Sequence, residues 1–237
     1  MKPVTIISGA AGGMGISVTK KFIAEGHCVI ALTQEGIPEQ EQQLLEICGY
    51  PDSLLTLPMN LLSESSVKAC TARIGADHKS VDNVVMIVGG YAGGALEETD
   101  ESQIDKMVNL NFKSCFFLAK HCFELMKKAK SGHMVFIGSK VSVEINEAFP
   151  HLAYSLSKGM VMNFAEILNE YGKPYNVRCS AVIPSVIDTK ANRKSMPEAD
   201  YSQWVTPEQI ADVIYFACSK QADILDMSVY KTYGGVR

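Results

Sequence analysis

The chain has 237 residues, 47% of them hydrophobic and 20% charged, with a formal net charge of −4 at pH 7. That length and apolar content suit one large domain with a full core rather than two small ones. The weakly acidic balance, without any lysine- or arginine-rich block, speaks against a nucleic-acid or anionic-membrane surface and leaves small molecules as the expected partners.

The seven cysteines, at 28, 48, 70, 115, 122, 179 and 218, are odd in number, scattered and never spaced C-x-x-C. They read as reduced thiols rather than as a disulfide framework or a zinc cluster, and no metal site is expected. Met1 runs almost directly into a strand-like segment, and no apolar run approaches the ~18 residues that a spanning helix needs, so a cytoplasmic location is expected.

Val4-Thr5-Ile6-Ile7 predicts the first strand. It ends in Ser8-Gly9-Ala10-Ala11-Gly12-Gly13-Met14-Gly15, and Val18, Phe22 and Ile23 then repeat at helical spacing. Strand, glycine turn and helix in that order suit a pyrophosphate, because glycines at 9, 13 and 15 allow positive φ and let backbone N–H groups approach phosphate oxygens. Cys28 to Leu32 is a second buried strand. Its end normally separates the cofactors, an acidic residue bonding the ribose 2′-hydroxyl and a cation taking a 2′-phosphate. Thr33-Gln34 is neither, so NAD and NADP both stay open.

A helix from about Pro38 to Cys48, a strand at Leu54–Leu57, a helix from about Glu64 to Ile74 and a strand from Asn83 to Val88 continue a βα alternation without a linker. The fourth strand opens onto Gly89-Gly90-Tyr91-Ala92-Gly93-Gly94, four glycines around a tyrosine that would suit close contact with a flat ligand. Asp100-x-x-Gln103 predicts a capping box for one long helix to about Ala129, with Ile104, Met107, Val108, Phe112, Phe116, Leu118, Phe123 and Met126 on its apolar face and Asn109 inside it. The fifth strand, Gly132 to Ile137, ends at Gly138-Ser139. Both Ser139 and Ser142 could return to a common pocket, and Ser139, at the strand end, is better placed.

Tyr154-x-x-x-Lys158 then puts a phenol and an ammonium on one face of a helix whose core stripe is Met160, Phe164, Leu168 and Tyr171. A free tyrosine titrates near ~10, and a cation within a few ångströms would favour phenolate. Such a pair can give or take the proton of a carbonyl/alcohol interconversion. A strand from Val177 to Ile183 and Pro184 follow. The long polar stretch at about 185–205, which contains Pro197 and the single tryptophan, Trp204, is expected to be an irregular substrate lid. Thr206-Pro207-Glu208-Gln209 predicts a second capping box, on a helix to about Cys218, and Ser228 to Tyr233 a last strand. Seven strands and six helices in alternation predict an α/β doubly wound sheet, seven parallel strands with helices on both faces, within a single domain over 1–237.

In this order and over the whole chain, Ser8-Gly9-x-x-x-Gly13-x-Gly15, Asn109, Ser139, Tyr154-x-x-x-Lys158 and Pro184-x-x-Ile187-x-Thr189 resemble the short-chain dehydrogenase/reductase family. Within it, the Gly89–Gly94 stretch and Asn192-Arg193-Lys194-Ser195-Met196-Pro197-Glu198-Ala199-Asp200-Tyr201, followed by Trp204, are similar to quinonoid dihydropteridine reductases and their bacterial relatives. The resemblance implies a Rossmann fold that binds NAD or NADP, with Tyr154 as acid/base, Lys158 as its partner and ribose ligand, Ser139 as orienter of the substrate oxygen and Asn109 as anchor of a relaying water. It implies cofactor contacts at Gly9, Ala11, Gly13, Met14, Gly15, Thr33, Gln34, Asn60, Gly89, Gly90, Pro184, Ile187 and Thr189, and substrate contacts at Tyr91 and Trp204. The family's Asn-Asn-Ala-Gly is here Ile87-Val88-Gly89-Gly90, its Pro-Gly is Pro184-Ser185 and its adenine-side Asp is Asn60. Unlike the animal dihydropteridine reductases, the chain has Ser139 and no acidic residue at Thr33-Gln34, which favours a carbonyl or alcohol over a pterin.

The expectation is therefore an NAD(P)-dependent reductase of a small carbonyl, alcohol or quinonoid dihydropterin, the alternative being a non-catalytic dinucleotide-binding regulator on the same fold. Apolar residues on more than one face of the predicted helices 102–129 and 154–171, with the family resemblance, predict a homodimer or homotetramer.

Overall fold

The computed structural model describes residues 2–236. Seven strands form one parallel sheet: β1 (Val4–Ser8), β2 (Cys28–Gln34), β3 (Leu54–Met59), β4 (Asn83–Met86), β5 (Gly132–Ile137), β6 (Val177–Pro184) and β7 (Ser228–Thr232), in the order β3-β2-β1-β4-β5-β6-β7. All six pairings are parallel. Between them run α1 (Gly13–Ala24), α2 (Pro38–Cys48), α3 (Glu64–Asp77), α4 (Glu101–Met107), α5 (Ser114–Ala129), α6 (Leu152–Gly172), α7 (Lys190–Ser195) and α8 (Pro207–Cys218). This is the doubly wound Rossmann architecture expected from the alternation.

Helices cover both faces, so the central strands are apolar runs, and their alternation serves only to split them between two cores. Ile6, Ile30 and Val84 point to the face of α3, α5 and α6, where they meet Val67, Leu118 and Val161. Their neighbours Ile7, Val29, Ala31 and Val85 point to the face of α1, α2 and α8, against Phe22, Leu44 and Ile214. Strand order reverses between β1 and β4, which opens a crevice at their carboxyl ends.

Three local details depart from the sequence expectation, each for a visible reason. β4 stops at Met86 rather than Val88, because the amides of Ile87 and Val88 turn to the Ser8 hydroxyl oxygen at 3.0 and 3.4 Å instead of to a ladder. The single helix expected over 102–129 is divided: a π-helical turn at Val108–Lys113 separates α4 from α5. Such turns insert one residue into the helical ladder and recur at functional sites. Finally, the stretch expected to be irregular contains α7. Thr189 caps it by accepting from the backbone N–H of Asn192, and Arg193 reaches back to Asp188 at 2.7 Å. Both expected capping boxes, Asp100/Gln103 and Thr206/Gln209, are formed.

Candidate active site

A cleft of about 690 Å³ lies along the carboxyl ends of β1, β2 and β4. Of the expected cofactor residues, Gly9, Ala11, Gly13, Met14, Gly15, Thr33, Gln34, Asn60, Gly89 and Ile187 line it. The glycine turn is built of backbone on backbone. Gly9 has φ +67°, and a Cβ on Gly15 would overlap the Gly9 carbonyl oxygen. No side chain caps α1, which leaves the N–H groups of its first turn directed at the cleft. A cradle that admits no Cβ, at a positive helix end, fits the pyrophosphate of a dinucleotide.

Two other expected residues stand behind the cleft. Thr189 faces Gly13, with its methyl 3.1 Å from where a Cβ would be, while its hydroxyl is spent on α7. Pro184 is buried at the end of β6, paired with Thr232, and does not line the cleft.

At the inner end of the cleft the chain brings α6 and the π-helical turn together over Gly89-Gly90. Asn111, 1% exposed, is the asparagine at this point. Its Oδ1 accepts from the Gly90 N–H at 2.8 Å, and its Nδ2 donates to the Gly90 carbonyl at 3.1 Å and to Ser157 Oγ at 2.9 Å. Asn109, the residue expected here, is half-buried and takes no part in this network. The buried stripe runs through Met107, Asn111, Cys115, Leu118 and Cys122, so Asn111 stands four residues from a core residue on either side. That spacing was the available signal. Of the expected apolar face, Met107, Leu118, Phe123 and Met126 are buried, whereas Val108, Phe112 and Phe116 are only partly so.

Lys158 is 5% exposed and donates to the Ile137 carbonyl at 2.8 Å. A Cβ on Gly89 would lie 2.6 Å from Asn111 Oδ1 and 3.2 Å from Lys158 Nζ, so the lysine adjoins the cleft across a glycine. Burial brings its ammonium down to about 8. The Tyr154 hydroxyl behaves differently from the sequence expectation. Burial raises it above an ordinary tyrosine, the Ser139 hydroxyl pulls it back, and the nearby Tyr91 raises it further. The hydrogen bond that the lysine makes is to the Ile137 carbonyl of β5. Ser142 turns its hydroxyl onto the Ser139 carbonyl at 2.7 Å, which leaves Ser139 as the serine that meets Tyr154.

Tyr91 does not line the cleft; it is 61% exposed, with its ring edge-on to Tyr154 at 5.1 Å and its hydroxyl sharing a 2.8 Å hydrogen bond with His151 Nδ1. The loop is fixed there by two backbone bonds, Gly94 N–H to the Pro150 carbonyl and Leu152 N–H to the Gly94 carbonyl. Trp204 is buried against Tyr201 at 4.7 Å and does not line the cleft, so the expectation that it touches substrate or moves between wet and dry surroundings has no support in this geometry.

Against this geometry, the family model described as short chain dehydrogenase matches residues 3–200. The 2-(R)-hydroxypropyl-CoM dehydrogenase of Xanthobacter autotrophicus is 26% identical over 94% of this chain and 93% of its own. The sepiapterin reductase of Chlorobaculum tepidum is 30% identical over 89% of this chain and 88% of its own. Among solved structures, NADP-bound ElxO superposes with a TM-score of 0.90 over 100% of this chain and 99% of that chain, at 22% identity, a likeness of fold.

Proposed function

The chain belongs to the short-chain dehydrogenase/reductase family, as an NAD(P)-dependent oxidoreductase, and from that premise we propose that it reduces a small carbonyl compound or oxidises the matching alcohol. The observation that carries this reading is the meeting of Tyr154 with Ser139 and with the ring of Tyr91, the residue that follows the Gly89-Gly90 pair adjoined by Asn111 and Lys158. A bound nicotinamide supplies or accepts the hydride. Tyr154, kept protonated by burial, gives its proton to the oxygen that becomes the hydroxyl, and Ser139 donates to the same oxygen and fixes its position. Asn111 clamps both polar groups of Gly90, so the cleft wall beside Lys158 is held in one place. The buried ammonium faces the cleft across Gly89, where it is suited to the ribose hydroxyls.

A non-catalytic regulator would have no use for this proton-transfer set. A second substrate reading, a pterin carbonyl or quinonoid dihydropterin, is supported by the identity with the sepiapterin reductase and by the exposed Tyr91 ring beside Tyr154. Incubating the protein with each reduced dinucleotide and a panel of carbonyls and quinonoid dihydropterin, and following loss of nicotinamide absorbance, tests both. No turnover across the panel would favour the regulator.

The segment 185–205 acts in this reading as an arch over the substrate rather than as a free flap. Ile187 and Val205 pair with one another, so any closure is confined to the residues between them. Cytoplasmic residence agrees with seven unpaired thiols, and none of the described helices is long and apolar enough to cross a membrane. A homodimer or homotetramer is the proposed assembly, since Leu156, Met160, Ile167 and Tyr171 leave one stripe of α6 40 to 60% exposed. The adjacent stripe of α5 gives less support than its sequence suggested, because Phe116 packs within the chain against Phe112 and Phe164.

A further inference from the structure

Resting on the reading that the cleft holds a nicotinamide dinucleotide, we infer that the end of β2 selects NAD(H) over NADP(H), with Glu35 as the discriminating residue and Thr33 as the ribose partner. In a doubly wound sheet the end of this strand meets the adenosine ribose, whose 2′ position is the only difference between the two cofactors. Leu32, Thr33, Gln34 and Glu35 all line the cleft, facing Gln40 and Asn60.

Charge decides first. Among the described residues, no lysine or arginine lines the cleft, and Glu35 is the one charged residue that does. Its carboxylate is exposed and forms no ion pair among the described residues. A phosphate monoester carries roughly −1.5 to −2 charges at neutral pH, so at this position it would lack a cation and face a carboxylate. The backbone N–H of Gln34 already donates to Gln40 Oε1 at 3.3 Å and is not free for a phosphate oxygen.

Hydrogen bonding points the same way. Several buried polar side-chain atoms lack a partner among the described residues, and only one of them, Thr33 Oγ1, belongs to a residue lining the cleft. Thr33 is 4% exposed. A buried hydroxyl left unpaired is costly, and a neutral ribose hydroxyl, which can both donate and accept, is the group that relieves it without bringing charge. The acidic residue of the site is therefore displaced from the strand end, Gln34, to the following position, and the hydroxyl stands one residue before that end. Gln34 alone gave no sign of this.

Binding is measured on the full chain by calorimetric titration with NADH and with NADPH, independently of turnover. NADH should bind at least about tenfold more tightly than NADPH, and the gap should shrink as salt rises, because the repulsion is screened. Glu35→Gln should strengthen NADPH binding alone, Glu35→Arg should reverse the preference, and Thr33→Val should weaken NADH several-fold. NADPH binding as tightly as NADH to the wild type would overturn the inference and leave the dinucleotide reading standing. A gap unchanged in Glu35→Gln would overturn the role of Glu35, and binding of neither dinucleotide would overturn both readings.

Discussion

Two glycine-rich stretches meet in this site, and they use glycine for opposite reasons. At Gly15 the crowding comes from the turn itself: the atom that a side chain there would strike is the Gly9 carbonyl oxygen, six residues earlier, although Gly9 and Gly13 also face Val88 and Thr189. In Gly89–Gly94 it comes from elsewhere in the chain. Gly89 is hemmed in by Asn111 and Lys158, and Gly90 by Leu110 and by the two hydrogen bonds of Asn111. Gly15 is enclosed by local backbone, whereas Gly89 and Gly90 are enclosed by helices that arrive 20 to 70 residues later. The first is a structural requirement of the fold, and the second is a mould around the chemistry.

The largest test of this contrast is Gly15→Ala. Backbone cannot retreat from a Cβ at this position, so the variant should lose dinucleotide binding and several kcal/mol of stability, read as a large fall in Tm. Gly90→Ala meets instead the methyl end of Leu110 at 2.9 Å, which can move. It should fold nearly normally and lose activity more than stability; equal losses of stability in the two variants would erase the distinction.

Within the second region, Tyr154→Phe should lower turnover by about 10² to 10⁴ with cofactor affinity nearly intact, because only the proton donor is removed. Full activity would take Tyr154 out of the acid role and favour an acid-independent pterin reduction. Asn111→Ala should cost roughly 1–3 kcal/mol by leaving the Gly90 groups unpaired, and should lower turnover at the same time. Asn109→Ala should change neither beyond experimental scatter, so a comparison of the two variants by melting and steady-state kinetics separates the asparagines.

Lys158 gives a subtler signature. Its folded-state value of about 8 lies below the ordinary 10.5, so between those pH values the unfolded chain holds a proton that the folded chain has released. Stability should therefore rise with pH across that window, by roughly 3 kcal/mol at most, and the buried charge is a cost below it. Lys158→Met should abolish the rise in denaturant melts while lowering turnover and cofactor affinity together; a rise that survives would assign it to another group. The smallest expected effect belongs to the arch. Because Trp204 is already buried, its fluorescence should change little on ligand binding, whereas proteolysis between 190 and 203 should slow. Unchanged cleavage would make the arch rigid.

Much of this was readable from residues alone. Apolar runs broken by glycine and by Thr206-Pro207 located all seven strands and placed α2 and α8 at their observed bounds, since caps, turns and periodicity are properties of neighbours in sequence. The glycine turn and the shared face of Tyr154 and Lys158 were legible for the same reason: both need only a few consecutive residues. Asn109 was taken for Asn111 because the choice depends on which face of a helix meets β4 and α6, and both candidates lie within a π-helical turn. The partner of the lysine was equally hidden. An i,i+4 spacing puts Lys158 beside Tyr154, but packing sends its ammonium to the Ile137 carbonyl of another strand.

What the sequence determined by itself was the alternation, the doubly wound sheet it builds and the residue types available to the site, because these follow from short-range propensities and burial. Tertiary structure alone decided which of those residues meet: Asn111 with Gly90, Ser139 with Tyr154, Glu35 with the cleft. Each of these joins segments whose relative position is set by how whole helices and strands pack, and a side-chain contact of about 3 Å depends on rotations of those elements that no local spacing encodes.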